Sequence, residues 1–262
     1  MKRAPGWIAA LMVAAAWAGA CTDVGTAPDG IVALAFDTLP YPSVVANDTM
    51  RDSTGKAAPL RAVAYNVDGN VIAEPAVRYI ALDTGVDISS QGYLVATTRT
   101  SGTVRVVATA ASLQSLQKTI TVTREPTAVA ASGPTSDTLK YASPDASTNV
   151  SNAMKVKLTR DSAGTAVGVP GFLVSWRATF RGQAIVATDT TLVSIWDDAR
   201  KISGLDTTGT DGVAARTLRI RSNALPTTAD SFVVYATTKY RGQEVAGSPV
   251  RFVIHFRPKP AR

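Results

Sequence analysis

Apolar and polar residues alternate in short segments along most of this chain, and no stretch keeps a helical period. In the segment 172–180 (FLVSWRATF), Phe172, Val174 and Trp176 fall on one face and Arg177 falls on the other. Because successive side chains of a β-strand point to opposite sides, this period of two predicts strands with one buried and one solvated face. Charged residues make up only 18% of the chain, and the abundance of Val and Thr also favours strands.

The two halves of the chain repeat the same order of segments. Residues 60–70 (LRAVAYNVDGN) and 154–164 (MKVKLTRDSAG) each combine a strand pattern with a turn pattern, and a proline and a second strand pattern follow both of them. Tyr79 and Trp176 occupy equivalent places in these second strands and are 97 residues apart, about the length of one immunoglobulin-like domain. We interpret both aromatic side chains as core residues. Pro126, which cannot donate to a β-ladder, marks the boundary between the halves.

The N-terminus has the pattern of a secretory leader. Lys2 and Arg3 precede a run of 14 residues without a charge, from Trp7 to Ala20. This run is shorter than the roughly 20 residues that a helix needs to cross a bilayer, and it has the length of a signal-peptide core. Cys21 follows directly and is the only cysteine of the chain.

The residues Ala18, Gly19, Ala20 and Cys21 together resemble the lipobox of bacterial lipoproteins. The resemblance implies that the leader is removed before Cys21, that the sulfur of Cys21 carries a diacylglyceryl group and that the new amine is acylated. Two or three acyl chains hold a protein stably at a membrane, whereas a single chain holds it only marginally. The alternative is a plain signal peptide that a cysteine follows by chance.

The residues after Cys21 are small and polar, which is typical of a flexible tether between an anchor and a folded domain. The residue directly after Cys21 is Thr22 and not Asp, which resembles the pattern of lipoproteins that are sorted to the outer membrane. The resemblance therefore implies a lipid-anchored protein of the bacterial cell envelope, at the outer membrane and facing either the periplasm or the surface.

A second resemblance covers the strand-rich part of the chain. The segment 92–110 (GYLVATTRTSGTVRVVATA) resembles bacterial immunoglobulin-like repeats of the Big-2 type, with Tyr79 where that family often has Trp. The segments 156–176 (VKLTRDSAGTAVGVPGFLVSW) and 207–220 (TTGTDGVAARTLRI) resemble the Big-1 repeats of invasin and intimin. These motifs imply a fold more than a function. Residues 181–206 are longer than such a repeat needs, which predicts an added hairpin or loop.

We therefore predict an all-β chain of two tandem immunoglobulin-like β-sandwich domains after a lipoprotein signal peptide and a short tether. With one cysteine the chain can form no internal disulfide, so packing alone must hold both predicted cores. The predicted parts are 1–20 (signal peptide), 21–30 (lipidated Cys21 and tether), 31–124 (Big-2-type domain), 125–257 (Big-1-type domain) and 258–262 (tail).

The residue inventory offers little material for catalysis. His255 is the sole histidine, and it falls on the solvated face of its strand beside Arg251 and Val253. A Ser-His-Asp triad requires the histidine in a cleft next to a nucleophile, and the chain has no nucleophile-elbow motif. One histidine and one lipidated cysteine cannot make a closed zinc site. We expect a protein that is not an enzyme and has no cofactor besides the covalent lipid.

Calcium is harder to dismiss, because carboxylate and carbonyl oxygens of loops suffice to bind it. Asp197, Asp198, Asp206 and Asp211 lie in or near turns, although their spacing is not that of an EF-hand. Asp and Gly also build turns by themselves, and we favour that interpretation.

Trp196 is the most suggestive residue for ligand contact. It ends an aliphatic run in the segment 192–201 (LVSIWDDARK), next to Asp197 and Asp198 and close to Arg200. An exposed Trp on a loop can stack on a sugar ring or anchor a partner protein. The alternative, which we favour, is that Trp196 packs into its own domain.

Positive charge is concentrated in the second half of the chain. Residues 125–262 hold 17 Lys and Arg against 11 Asp and Glu, whereas residues 22–124 hold 8 against 9. A basic half suits anionic partners such as lipopolysaccharide, acidic glycans or phospholipid headgroups. No dense basic run exists, so scattered solubilising charge is the alternative, and we interpret Arg219 and Arg221 as a solvated strand edge. Nucleic-acid binding typically uses a basic stripe interleaved with aromatic residues, and this sequence has none.

Two functions therefore compete. The first is a non-enzymatic, membrane-anchored lipoprotein that acts as a spacer or as an adhesion or interaction module of the cell envelope. The second is a lipoprotein that binds carbohydrate or another anionic polymer through its basic second domain and Trp196. A hydrolase that these patterns do not reveal is a third and weaker alternative. We expect an elongated monomer. Its partner in the cell envelope is a protein or a glycan, and the sequence does not show which.

Overall fold

The computed structural model describes residues 30–142, 145–185, 191–221 and 228–259. All regular elements in these ranges are β-strands, so the predicted all-β fold is confirmed. The predicted leader, Cys21 and nearly all of the tether lie outside the described residues, as does the end of the predicted tail. Among the described residues, no helix has the length and apolar character required to cross a membrane.

The first nine strands form what we call the N-terminal module. A sheet in the order β2-β9-β7-β4 is its largest part, with β8 added beside β7, and two separate antiparallel ladders join β1 to β3 and β5 to β6. Strands β2 and β9 run parallel to each other. The strands are β1 Ala33–Phe36, β2 Ser43–Val45, β3 Ala62–Tyr65, β4 Arg78–Ala81, β5 Val86–Ile88, β6 Leu94–Ala96, β7 Gly102–Ala110, β8 Leu113–Gln114 and β9 Lys118–Thr123.

The core of the N-terminal module lies between the large sheet and the two ladders. Val104 and Val106 of β7 are fully buried there with Leu94 of β6, as the alternation in the sequence predicts. Tyr79 is half-buried at the margin of this core, where its ring lies 5.8 Å from that of Phe36.

The remaining thirteen strands form what we call the C-terminal module. One sheet has the order β10-β12-β18-β16 with β13 beside β12, and the other has the order β11-β22-β19-β14-β15 with β17 beside β14. All strand pairs between described residues stay within one module. The strands are β10 Ala128–Ala131, β11 Ser136–Tyr141, β12 Met154–Ser162, β13 Thr165–Gly168, β14 Leu173–Phe180, β15 Gln183–Ala184, β16 Val193–Trp196, β17 Leu205–Thr207, β18 Val213–Ile220, β19 Asp230–Thr237, β20 Lys239–Tyr240, β21 Gln243–Glu244 and β22 Val250–Pro258.

The two sheets of the C-terminal module face each other across one apolar core, which makes this module a β-sandwich. Trp176 of β14 is only 2% exposed, and its ring lies 5.9 Å from that of Phe252. Phe232 and Phe256 extend the aromatic layer with ring centroids 4.9 Å apart. The interpretation of Trp176 as a core residue is therefore confirmed.

The long segment 181–206 contains the short strands β15 and β16 and the start of β17, as the prediction of an added hairpin or loop implies. Residues 186–190 of this segment lie outside the described residues. Strands β15 and β17 both pair with β14, so the addition extends the sheet that carries Trp176.

Replacing Trp176 with alanine should lower the free energy of unfolding of the C-terminal module by about 3–5 kcal/mol, because it leaves a large cavity in a packed core. Chemical denaturation followed by circular dichroism measures the loss. Val167→Ala, which shortens a side chain that is 43% exposed, is the control and should change stability by no more than about 0.5 kcal/mol. A Trp176→Ala protein as stable as the control would contradict the assignment.

Candidate functional site: the joint between the modules

The four residues predicted to contact a ligand form a hairpin turn at the end of β16. Trp196 is half-buried, and the Arg219 guanidinium lies over its ring, 5.7 Å from the centroid. The Asp197 carboxylate accepts the backbone N–H of Lys201 at 2.8 Å and so closes the turn. Asp198 and Arg200 are exposed. One face of Trp196 and one carboxylate oxygen of Asp197 are therefore used within the fold.

The interpretation of Arg219 as part of a solvated strand edge is wrong. Strand β18 lies inside its sheet between β12 and β16, and Arg219 is only 5% exposed. Its guanidinium pairs with the Asp145 carboxylate at 2.7 Å and lies under Trp196. An alternating pattern does not show whether the second face of a strand is covered, which is why the sequence misplaced this residue. Arg221 is half-buried.

Three of the four acidic residues considered for calcium, Asp197, Asp206 and Asp211, have partners within the fold. The Asp206 carboxylate accepts the backbone N–H of Ala215 and pairs with Arg216, both at 2.8 Å. Asp211 accepts the backbone N–H of Val213 at 3.0 Å. Across the described ranges, no group of three or more His, Cys, Asp and Glu side chains is arranged to hold a metal ion.

His255 lies on the exposed face of β22, as predicted. Its Nδ1 lies 2.7 Å from the Ser231 hydroxyl, but both residues face solvent on an open sheet. Asp230, the neighbouring acid, pairs instead with Arg181 at 2.8 Å. The Ser-His pair thus has neither the cleft nor the orienting carboxylate that a nucleophilic triad needs.

The most densely bonded polar site among the described residues joins the two modules around Asp48, and we call this contact the joint. Asp48 is 8% exposed and belongs to the turn after β2. Within its own module it accepts hydrogen bonds from the Thr49 N–H at 2.8 Å and from Arg51 Nε and Nη2, both at 2.9 Å. From the C-terminal module it accepts Tyr240 Oη at 3.0 Å and Arg241 Nε at 3.1 Å. One carboxylate therefore gathers donors from both modules.

A second layer of the joint surrounds Phe172, which is buried at the start of β14. The Tyr41 ring packs edge-on against it at 5.9 Å, and the Tyr240 ring does so at 6.2 Å. The Leu173 N–H donates to the Tyr41 hydroxyl at 2.9 Å, and the Ser43 hydroxyl donates to the Gly171 carbonyl at 2.8 Å. Tyr41 of the N-terminal module thus packs onto the core of the C-terminal module.

Two glycines allow the backbones of the modules to approach at the joint. Gly55 has φ +90°, and a Cβ placed on it would lie 2.1 Å from the Gly242 nitrogen. Arg51 Nη1 holds this turn by donating to the Gly55 carbonyl at 3.0 Å. Any larger residue at position 55 would therefore push the modules apart.

The joint strongly shifts the pKa values of its titratable groups. Burial raises the pKa of Asp48, but the hydrogen bonds from Arg51 and Arg241 outweigh it and hold the pKa well below its usual range. Burial raises the pKa of Tyr41 to about 12. Burial and the hydrogen bond to Asp48 raise the pKa of Tyr240 to about 12, because ionisation would place two negative oxygens side by side. Near neutral pH the joint thus contains an ionised Asp48 and two neutral tyrosines.

The cavity at the joint is about 30 Å³, far below the volume of a usual ligand pocket. The hydrogen bonds and ring contacts of the joint hold the two modules in one relative orientation. No sequence pattern indicates the joint, since Asp48 and Arg241 are 193 positions apart and each stands in an ordinary turn pattern, Asn-Asp-Thr and Tyr-Arg-Gly.

Comparisons with known proteins give no family. No family model and no curated protein matches the sequence. Among solved structures, the Yersinia pseudotuberculosis adhesin InvE shares 14% identity over 86% of this chain and 58% of its own, with a TM-score of 0.32. Invasin, a bacterial integrin-binding protein, shares 16% over 88% and 40%, also with a TM-score of 0.32. Domains 1–6 of the surface layer protein SbsC share 14% over 88% and 28%, with a TM-score of 0.31.

This chain therefore spans 28% to 58% of the length of those three proteins.

Gly55→Ala should separate the modules while both still fold. Gly69→Ala is the matched control, because Gly69 also has a positive φ (+77°) but has no atom within 4 Å of an added Cβ. Both variants should lose about 1–2 kcal/mol from left-handed strain, and only Gly55→Ala should lengthen the distance between spin labels on the two modules. Equal distances in the two variants would contradict the close approach.

The joint should lose stability at both ends of the pH scale. The contribution of Asp48 is complete above the usual carboxylate pKa of about 4 and is lost as pH falls below it, because its pKa in the folded state is lowered. The contribution of Tyr41 and Tyr240 is complete below about pH 10 and is lost as pH rises towards about 12, because their pKa values are raised.

Denaturation at a series of pH values tests both limbs. Asp48→Asn should differ from the wild type most above about pH 5 and progressively less below about pH 4. The double variant Tyr41→Phe, Tyr240→Phe should flatten the alkaline limb and keep most of the acid limb, because Arg51 and Arg241 still hydrogen-bond to Asp48. If either variant loses the same free energy at every pH, the assignment of that limb is wrong.

Proposed function

We propose that the chain is a non-enzymatic spacer and interaction module of the bacterial cell envelope, built of two immunoglobulin-like modules and held at a membrane by a lipid on Cys21. The joint is the observation that carries this proposal. This contact combines a buried carboxylate, donors from both modules and a close approach of two backbones. It therefore fixes the orientation of one module relative to the other. A rigid pair is suited to holding a surface at a fixed distance from its anchor.

The anchoring part of the proposal is supported by the leader pattern and by the use of the single cysteine. Cys21 follows an uncharged run that is too short to span a bilayer, and small residues precede it. Two or three acyl chains at this position attach the N-terminal module to the lipid surface through nine polar and small residues, 22–30. The outer membrane is the proposed location, on the basis of Thr22.

The non-enzymatic part is supported by how the polar groups are used. Asp48, Asp206 and Asp145 are all engaged by arginines within the fold, and His255 lies on an open face. The carbohydrate route through Trp196 has no such support, because Arg219 covers one face of its ring.

Mass spectrometry of the mature protein should find the N-terminal peptide beginning at Cys21 and heavier by two or three acyl chains. Cys21→Ser should leave the protein unlipidated and release it from the membrane fraction, because no other anchor is proposed. Thr22→Ser, which keeps the cysteine and a hydroxyl next to it, is the control and should remain lipidated. An unmodified Cys21 in protein recovered from the aqueous fraction would refute the anchor.

A further inference from the structure

A groove of about 350 Å³ lies beside the joint, on the solvent face of the sheet that contains β14 and β19. Both modules line it, Tyr41 and Ser53 from the N-terminal module and Arg177 and Lys239 from the C-terminal module. This volume is within the usual range for small-ligand sites and is more than ten times that of the cavity inside the joint.

The strand register extends the charge of this groove across the sheet. Arg177 of β14 pairs with Tyr235 of β19, and Tyr235 pairs with Arg251 of β22, so the three side chains form one row. Both arginines are exposed, and Tyr235 is half-buried between them. Because neighbouring strands lie about 4.8 Å apart, the Cα atoms of the two arginines are separated by about 10 Å.

The cations of this surface form no ion pair with another described residue. None of the ion pairs between described residues involves Arg177, Lys239 or Arg251. Glu244, opposite Lys239 in the β20–β21 ladder, is the acidic side chain among the described lining residues. The groove and the row together carry three positive charges against this one carboxylate, so they attract a ligand with repeated negative charges.

The uncharged lining residues of the groove limit which class of anionic ligand fits there. Ser53, Ser175 and Thr237 present hydroxyl groups that can exchange hydrogen bonds with sugar hydroxyls. Leu205, which is 56% exposed, gives an apolar wall, and the Tyr235 ring offers a surface for the C–H face of a sugar. Arginine binds carboxylates with two parallel hydrogen bonds, which a neutral glycan cannot accept.

We propose that the groove and the adjoining row Arg177–Tyr235–Arg251 form a binding site for a polysaccharide that carries carboxylates, such as a polymer of uronic acids. The chain of sugars lies across the strands, with successive carboxylates on Arg177 and Arg251 and a ring over Tyr235. The site would give the interaction module a partner class, but binding by the isolated chain does not depend on the lipid at Cys21.

Isothermal calorimetry with the full chain in detergent and alginate oligosaccharides tests the proposal. Arg177→Gln with Arg251→Gln should weaken binding at least about tenfold, because each variant loses a charge-assisted contact. Lys155→Gln with Lys157→Gln is the matched control. This variant also removes two positive charges from the C-terminal module, but both come from β12 of the opposite sheet. This control should change the affinity less than about twofold, since distant charges are screened by salt.

Two further ligands separate a glycan site from a charge effect. Neutral dextran should not bind, and polyglutamate should bind more weakly than alginate and should be insensitive to Tyr235→Ala, because it has no sugar ring to stack. No binding of alginate, equal losses in the two double variants, or equal binding of polyglutamate would each overturn the proposal. Binding to vesicles of anionic phospholipid without binding to alginate would also overturn it and would identify a lipid surface as the occupant.

Discussion

The relative placement of the two modules depends on one buried carboxylate. A charge removed from water is tolerated only where paired donors replace its hydration, and Asp48 obtains these donors from both modules. Arg51 and the Thr49 N–H remain with Asp48 when the modules separate, whereas Tyr240 and Arg241 do not. A buried ion pair contributes less to net stability than to choosing one arrangement over others, and we infer this role at the joint.

The same contact shapes the proposed binding surface. Tyr41 takes part in the joint through its hydroxyl and also lines the groove, and Lys239 of the groove directly precedes Tyr240 of the joint. A change in the angle between the modules would therefore move Ser53 relative to Arg177 and alter the width of the groove. The joint and the groove are thus mechanically linked, although they use different chemistry: arginines of both modules pair with Asp48 in the joint, whereas Arg177 of the groove forms no ion pair with a described residue.

The sequence predicted the parts of the fold that depend on local pattern. Alternation identified the strand that carries Trp176 and the face of β7 that carries Val104, because burial on one side of a sheet imposes a period of two. It misplaced Arg219, because a strand in the middle of a sheet can have its second face covered, here by Trp196 of β16 and by Asp145. The joint could not be predicted at all, since the pairing of Asp48 with Arg241 depends on how the modules dock. Such a pairing produces no periodic pattern in the sequence.

The basic residues of the second half fall into two groups in the structure. Arg181, Arg216 and Arg219 are paired with Asp230, Asp206 and Asp145, so their charge serves the fold. Arg177 and Arg251, on the solvent face of the sheet that contains β14 and β19, form no ion pair with a described residue, and the register places them on either side of Tyr235. A count of charges cannot separate these two groups, because it weighs a neutralised arginine and a free one equally. Long-range attraction of an anionic polymer depends on the free group alone, so the affinity for such a polymer should follow the face and not the net charge of the chain.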